Sequence, residues 1–329
     1  MNGNQAYINT YENKIKTVIK KHPNLIGFRN FLTDNSIATV YQYVYYVSCF
    51  LDYINKTPEQ LVFDDFTSYL NHIRTNQHGE QATSSFKIAM YSALKKYNIY
   101  LVAANILPVN YMNNIKRPKP METQKTIEKR EKGFLTEEEI STYLYNVRSG
   151  IKTYGNNDIE YYRERDMAIV MILLNTGIRC SALIRLDVDD IDFEASEIIV
   201  IDKGSKINRH FISEDTKSCI KKWLIKREHI LNGIPEKALF ISDRRCRISN
   251  SSVYRLINKY TQNIDGKNIT PHKLRATYGT QLYNATKDLF FVQEMMGHSN
   301  PQTTTLYIRD KSDMKEKASN IMSNLTKLN

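Results

Sequence analysis

Four short motifs in the second half of the sequence carry side chains whose chemistry suits a phosphate group. The motifs are TGIR, DKGSK, HKLRATYGT and MGHSNPQTTTLY, and their candidate residues are Arg179, Lys203, His272, Arg275, His298 and Tyr307. Arginine and lysine bind anionic oxygens, and histidine exchanges protons near neutral pH. A tyrosine hydroxyl becomes a nucleophile once a base takes its proton. Together these residue types point to chemistry at a phosphate.

The motif HKLRATYGT is predicted to begin a helix, because Thr270 is a suitable N-cap and Pro271 suits the first helical position. His272 and Arg275 are three residues apart, so both should lie on one face of the opening turns. A helix N-terminus carries partial positive charge and exposed N–H groups, which favour an anion. The spacing predicts a phosphate-binding face, and the alternative is an ordinary solvent-exposed pair.

The other three motifs each predict a turn. Arg179 is expected at a junction between a loop and a helix, and Lys203 at the tip of a hairpin. Gly297 should end a helix, with His298 on the turn after it and Tyr307 on the third turn of the next helix. Three consecutive threonines weaken that helix. Any one of these residues, taken alone, is most simply a surface residue.

In this order and spacing, the motifs resemble those of the tyrosine recombinase, or phage integrase, family. Its signature is an arginine in a TGxR turn, a hairpin lysine, an HxLR helix start, an LGH turn and a tyrosine that follows the LGH histidine at the spacing seen here. The resemblance covers roughly Phe134 to Arg309 by motif. One position departs from the family, since Ala182 replaces the usual acidic residue of RxSEL. Another group, such as a carboxylate elsewhere in the chain, would then have to orient Arg179.

The resemblance implies how the reaction would proceed. Tyr307 would attack the phosphodiester, form a 3′-phosphotyrosine bond and release a 5′-hydroxyl. Arg179 and Arg275 would bind the non-bridging oxygens and stabilise the charge of the transition state. Lys203 would protonate the leaving 5′ oxygen.

The histidines would complete the site. His272 would help to take the tyrosine proton, and His298 would donate to a phosphate oxygen. Because side chains supply the positive charge and the phosphotyrosine bond stores the energy, the resemblance implies no metal, ATP or other cofactor.

The elements around these motifs predict an α+β catalytic domain. It begins with a capping box, in which Thr136 and Glu139 precede an apolar helical pattern. Residues 160–174 are predicted to be helical, and two β-rich runs at 198–201 and 209–212 to form a hairpin.

The region before this domain is predicted to be all helical, similar in position and pattern to the family's core-binding domain. Apolar residues recur at helical spacing near residues 6–21, 37–54, 66–73 and 83–101. Basic residues on the last of these helices, in the linker and in the hairpin are candidates for DNA contact: Lys87, Lys95, Lys96, Lys116, Arg117 and Lys206. The alternative for each is a merely solvated charge.

We therefore predict a mainly α fold with a small β-hairpin or sheet, in which a SAM-like core-binding domain precedes the α+β catalytic domain. The predicted boundaries are 1–22 for an amphipathic helix, 23–114 for the core-binding domain, 115–133 for a charged linker, 134–310 for the catalytic domain and 311–329 for a C-terminal exchange helix. The last helix carries an apolar stripe, which would dock either on a neighbouring protomer or back on its own domain.

The overall composition narrows the choice of partner. The formal net charge is +11 and the pI is near 9.2, which favours nucleic acid first and a membrane surface second. Four cysteines without a CxxC pair suggest reduced thiols rather than a zinc site or disulfides. The first residues lack the apolar run of a secretory signal, and no stretch approaches the ~20 residues of a membrane span. We expect a cytoplasmic protein without a membrane partner.

Other classes of protein fit part of the sequence. The stretch LDVDDIDFE would suit a two-metal nuclease, with Asp187, Asp189, Asp190 and Asp192 as ligands, although a solvated turn is the simpler interpretation. A catalytically inactive DNA-binding regulator would use the same basic surface but would not need Tyr307. A type IB topoisomerase shares similar chemistry, but the two-domain layout favours recombination.

The prediction is a site-specific DNA recombinase that needs neither metal nor ATP. Integration or excision of a mobile element, a phage or transposon, is the favoured role, and resolution of chromosome dimers is the alternative. The expected partners are double-stranded DNA with paired recognition half-sites, further copies of the chain in a tetramer assembled on DNA, and accessory DNA-bending or directionality proteins.

Overall fold

The structure, a computed structural model, describes residues 3–74, 82–119, 133–150, 159–201, 207–261, 264 and 267–297. The chain divides into two compact units, Met1–Thr123 and Gln124–Asn329. The division lies within residues 115–133, the stretch that the sequence predicts as a linker.

The first unit is helical over its described residues. Its helices are α1 (Gly3–Lys21), α2 (Leu25–Phe31), α3 (Ile37–Ile54), α4 (Phe63–His72) and α5 (Ser84–Ala103), with short 3-10 turns at Pro58–Gln60 and Tyr111–Asn114. Ser36 and Thr83 accept hydrogen bonds from the N–H groups three residues ahead, and these caps fix where α3 and α5 begin. The four helices expected from apolar periodicity are confirmed.

Aromatic side chains fill the core of this unit. The Phe50 ring stacks on Phe66 and the Phe28 ring meets Tyr97 edge-on, each pair with centroids 5.0 Å apart. The first helix is fastened to α3, because Asp52 accepts hydrogen bonds from Lys21 and His22 at 2.7 and 3.0 Å. Helix α1 thus belongs to the first unit.

The second unit is mixed α and β. Its helices are α6 (Glu137–Ser149), α7 (Ile159–Thr176), α8 (Cys180–Leu183), α9 (Glu214–Leu231), α10 (Asn250–Lys259), α11 (Pro271–Thr286) and α12 (Leu289–Met295), with a 3-10 turn at Val188–Asp190. The predicted caps at Thr136 and Thr270 are confirmed, including the capping box with Glu139 and Pro271 in the first turn of α11.

The sheet of this unit has three antiparallel strands in the order β1-β2-β3. They are β1 (Ile191–Asp192), β2 (Glu197–Ile201) and β3 (Ile207–Phe211), with Ile199 opposite Arg209. Because Ile198 and Val200 point into the core, the other face of β2 lies outward. The predicted hairpin is confirmed, and the short β1 beside it was not predicted because two residues carry no alternation.

A buried ionic network fixes α7, the helix that leads into the TGIR motif. The fully buried carboxylate of Asp166 accepts hydrogen bonds from Arg165 at 3.0 Å and from the Tyr260 hydroxyl at 2.7 Å. Lys259 completes its neutralisation at 2.6 Å. A buried charge is tolerated only when it is paired in this way, so the network ties α7 to the end of α10. Within the described parts of both units, no helix combines the length and apolar character needed to cross a membrane.

Candidate active site

The TGIR motif forms a tight turn at the end of α7. Gly177 has φ +60° and its N–H donates to the carbonyl of Leu173 at 3.1 Å, which is the left-handed ending that glycine favours. Arg179 follows as the N-cap residue of α8, and its side chain is exposed. The prediction that Arg179 projects from a junction between a loop and a helix is confirmed.

A second reason for glycine at position 177 is its neighbour on α11. A Cβ atom built at Gly177 would lie 2.3 Å from a ring carbon of Tyr278, far inside van der Waals contact. The backbone of the TGIR turn therefore lies directly against the aromatic ring of the HKLRATYGT helix, which holds the two motifs at a fixed separation.

Arg275 joins three of the motifs. Its guanidinium is buried and donates hydrogen bonds to the carbonyl of Gly177 and to that of Met296, the latter at 2.5 Å. Arg179 donates at 3.5 Å to the carbonyl of Gly297, whose φ of +57° ends α12. The arginines thus connect the TGIR turn, helix α11 and the turn that leads to His298.

His272 lies one helical turn before Arg275, in the first turn of α11. Partial burial by the surrounding protein, and second the positive charge of Arg275, lower the pKa of His272 below its ordinary value. A neutral imidazole at neutral pH can accept a proton, which is what a base for a tyrosine hydroxyl requires.

Several predicted site residues lie outside the described residues. These are Lys203, Lys206, His298 and Tyr307. The structure therefore brings together Arg179, His272 and Arg275, and the remaining members of the predicted catalytic set stay predictions.

The candidate DNA-contacting residues of the first unit have different surroundings. Lys87, Lys95 and Lys96 lie on α5, and the ammonium of Lys96 lies 5.2 Å from the centre of the Phe31 ring. Lys95 is exposed, as are Lys116 and Arg117. Their contact with DNA stays a prediction.

Position 182, where the family usually has an acidic residue, is occupied by a buried alanine. Ala182 lies on α8 within the apolar core of the second unit. A carboxylate there would need its own buried partner. The carbonyl of Gly297 is one acceptor that orients Arg179 in this chain.

The acidic stretch before the sheet is engaged in local structure. Asp190 accepts from the N–H of Asp187, Asp187 pairs with Arg247, and Asp192 accepts from the N–H groups of Glu194 and Ala195. The expected turn is present as the 3-10 turn Val188–Asp190, in which Asp189 is exposed and Asp190 is partly buried. No group of three or more metal-ligating side chains occurs in the portion of the chain that the structure describes.

Two residues on α11 that are not among the predicted site residues contact Leu135, just before α6. The hydroxyl of Thr277 accepts from the N–H of Leu135 at 2.8 Å, and the amide of Gln281 donates to the carbonyl of Leu135 at 3.3 Å. The sequence carries one sign of these contacts: Thr277 and Gln281 are four residues apart, so they lie on the same face of the helix that carries the candidate catalytic residues. That spacing does not indicate their partner Leu135, which is 142 residues away from Thr277 in sequence.

Comparison with known proteins supports the assignment made from the motifs. The family model described as "Phage integrase family" matches residues 134–314. A tyrosine recombinase XerS from Streptococcus agalactiae is 30% identical in an alignment of length 282 that covers 79% of each chain. A tyrosine recombinase XerC from Caldanaerobacter subterraneus is 29% identical in an alignment of length 263 that covers 78% of this chain and 68% of that protein.

Solved structures share the fold. The XerH site-specific recombinase bound to palindromic difH substrate superposes with a TM-score of 0.68 at 22% identity, covering 87% of this chain and 80% of that one. A lambda integrase dimer bound to a COC′ core site gives 0.62 at 16% identity, covering 88% and 95%. The matched motifs, the family model and the recombinase relatives agree, and the chain belongs to the phage integrase family as a site-specific tyrosine recombinase, an enzyme that cleaves and rejoins DNA.

Proposed function

We propose that this recombinase cleaves DNA with Tyr307 as the nucleophile and that Arg179, His272 and Arg275 act directly on the scissile phosphate. The observation that carries the proposal is the meeting of the two arginines at the Met296–Gly297 turn. That turn immediately precedes His298 in the sequence, so the cationic groups lie beside the segment that leads to Tyr307.

The proposed steps follow from the chemistry of each group. Tyr307 loses its proton to His272, attacks the phosphorus, and forms a 3′-phosphotyrosine bond as the P–O bond to the 5′ oxygen breaks. Lys203 gives its proton to that leaving oxygen. Arg179, Arg275 and His298 donate to the non-bridging oxygens, where negative charge accumulates in the transition state. In the rejoining step a 5′-hydroxyl gives its proton to Lys203 and attacks the phosphotyrosine, and His272 returns a proton to the Tyr307 oxygen as the P–O bond to it breaks.

Double-stranded DNA is the proposed partner, and the net charge of +11 supports it. The solved relatives in this fold include XerH with difH DNA and a lambda integrase dimer on a core site. Exchange between two duplexes requires four cleavages, so we propose a tetramer on two paired recognition sites. DNA-bending or directionality proteins are proposed accessory partners.

The C-terminal segment is the proposed link between protomers. It carries an apolar stripe at helical spacing: Met314, Ala318, Ile321, Met322 and Leu325. Such a stripe needs an apolar partner. An open apolar groove of about 360 Å³ between α6, α7 and α11, lined by Ile140, Leu144, Met171 and Leu174 among others, is of suitable character.

Two biological roles fit this activity. The sequence motifs alone favour integration or excision of a mobile element, whereas similarity to Xer recombinases over 79% of the chain favours resolution of chromosome dimers. We propose the second role on that similarity. A plasmid carrying two directly repeated copies of one site should then be resolved, and recombination only between two unlike sites would instead support a mobile element.

The chemical proposal is tested with a nicked half-site, on which loss of the short strand traps the covalent intermediate. We expect a protein–DNA adduct that forms equally well in EDTA. Cleavage that depends on Mg²⁺ and leaves no adduct would support the metal nuclease instead. Tight binding without any cleavage would support the inactive regulator.

A further inference from the structure

The backbone of Leu135 is paired by two side chains of the helix that carries His272 and Arg275. Its N–H donates to the Thr277 hydroxyl at 2.8 Å, and its carbonyl accepts from the Gln281 amide at 3.3 Å. Leu135 is fully buried and Thr277 nearly so. Because Leu135 lies outside the helices and strands, its buried N–H and carbonyl groups need hydrogen-bond partners from elsewhere, and side chains of α11 supply both.

Lys267, four residues before α11 begins, holds the same segment from a second side. Its ammonium donates to the carbonyl of Phe134 at 2.9 Å and pairs with Glu139 at 2.5 Å. The other function of Glu139 is to accept from the N–H of Thr136 at 2.8 Å in the capping box of α6. We call the contacts of Phe134 and Leu135 with Lys267, Thr277 and Gln281 the 134–135 clasp.

The Thr277 hydroxyl acts both as a hydrogen-bond donor and as an acceptor. It donates to the carbonyl of Lys273 at 2.8 Å while it accepts from Leu135. Lys273 lies between His272 and Leu274 in the first turn of α11, so the clasp joins Leu135 to the turn that presents His272. Arg275 is two residues before Thr277, and it must reach both Gly177 and Met296.

We propose that Thr277 and Gln281 are positioning residues for DNA cleavage: the 134–135 clasp fixes the placement of α11, and thereby that of His272 and Arg275 on the phosphate. The proposal rests on the proposed roles of His272 and Arg275. A displacement of about 1 Å at reacting groups costs on the order of 100-fold in rate, so a loosened clasp slows cleavage without removing a catalytic group.

Thr277→Val tests the proposal, and the chain provides a matched control. Valine keeps the shape and the β-branching of threonine and replaces its hydroxyl with a methyl group. Thr280→Val makes the same change one turn further along α11, where the buried hydroxyl has no hydrogen-bond partner among the described residues. Thr277→Ser returns the hydroxyl and should rescue the first variant.

The readout is the single-turnover rate of adduct formation on a nicked half-site at saturating protein, below the melting temperature of every variant. We expect Thr277→Val to be slower by roughly 10- to 100-fold, with Thr277→Ser and Thr280→Val within about threefold of the wild type. Gln281→Ala, which removes a more exposed contact, should be slower by roughly 3- to 10-fold.

Three results would contradict the proposed positioning role. The first is a wild-type rate of adduct formation in both Thr277→Val and Gln281→Ala. The others are an equal loss of rate in Thr280→Val and in Thr277→Val, or weaker DNA binding by Thr277→Val with an unchanged rate at saturation. If Thr277→Val fails to fold, the cleavage rate of Gln281→Ala, compared with that of the Thr280→Val control, tests the proposal instead. Each result is interpreted only against a wild-type protein that forms the adduct, so failure of the proposed function is recognised separately, by the absence of any adduct.

Discussion

The guanidinium of Arg275 donates a hydrogen bond to the main-chain carbonyl of Met296 at 2.5 Å. This contact spans 21 residues and joins the first turns of α11 to the end of α12. Arg275 therefore combines two tasks, since it shapes the turn before His298 and brings positive charge to the site. The apolar residues around α12 contribute a small core of their own, in which Val292 and Met296 are buried.

Replacement of this arginine should abolish most cleavage. Arg275→Ala should raise the barrier by roughly 3–4 kcal/mol, the size of loss found when a donor to transition-state charge is removed, which is about 10²- to 10³-fold in rate. The measurement is adduct formation at saturating DNA. Arg148→Ala, at the exposed end of α6, serves as the control and should cleave normally. Near-wild-type cleavage by Arg275→Ala would contradict the phosphate site.

The contact between Gly177 and Tyr278 predicts that alanine substitution destabilises the protein more at Gly177 than at Gly233. Both Gly177 and Gly233 have positive φ, but nothing lies within 4 Å of a Cβ built at Gly233. Gly233→Ala should cost only the backbone strain, about 1 kcal/mol, whereas Gly177→Ala should cost roughly 2 kcal/mol more because the Tyr278 ring must move.

Unfolding in urea, followed by the fluorescence of Trp223, measures this difference. Trp223 is the single tryptophan of the chain and is fully buried in the second unit, to which both glycines belong. Equal losses of stability in the two variants would show that Gly177 does not lie against Tyr278.

The pKa of His272 provides a test of its surroundings. Burial and the charge of Arg275 both disfavour the protonated imidazole, so the pKa should lie below 6.5 in the DNA-free protein. Arg275→Gln removes the second cause, and the pKa should then rise while staying below its ordinary value. NMR titration of the imidazole protons, assigned with His272→Gln, measures both. An unchanged pKa in Arg275→Gln would mean that the two side chains do not interact.

The same shift sets the sign of the pH dependence of cleavage. If neutral His272 takes the tyrosine proton, the cleavage rate should fall as the pH is lowered through the pKa of His272, which means below pH 6.5. The dependence of the rate on His272 should level off as the pH rises above that pKa. A rate that increases on acidification through the pKa of His272 would contradict the assignment of His272 as a base.

Local chemistry explains which features were predictable from the sequence. The caps at Thr136 and Thr270 follow from side chains that bond to N–H groups three residues ahead, and apolar periodicity located the long helices. The inward turn of Arg275 towards Gly177 and Met296 depends on how α7, α11 and α12 pack, which no local pattern contains. The pairing of Leu135 with α11 could not be predicted for the same reason.

The C-terminal segment should control assembly rather than folding. Deletion from Lys315 onward should leave a folded monomer that binds one half-site and no longer binds cooperatively to a full site, because the apolar stripe is lost except for Met314. Gel shifts with one and two half-sites measure this. Ile321→Asp should reproduce the defect, and Asn320→Asp, next to the stripe, should not. Unchanged cooperativity in the deletion variant would contradict the exchange between protomers.

The central claim is that one hydroxyl, that of Tyr307, becomes bonded to DNA. The most direct measurement compares the wild type with Tyr307→Phe on a nicked half-site whose cleaved strand is labelled at its 5′ end, in the part that stays bonded to the protein, with binding measured in parallel by gel shift. We expect equal binding, a wild-type adduct whose DNA-linked peptide contains Tyr307, and no adduct from Tyr307→Phe. A covalent adduct formed by Tyr307→Phe, or a linked peptide that lacks residue 307, would contradict it.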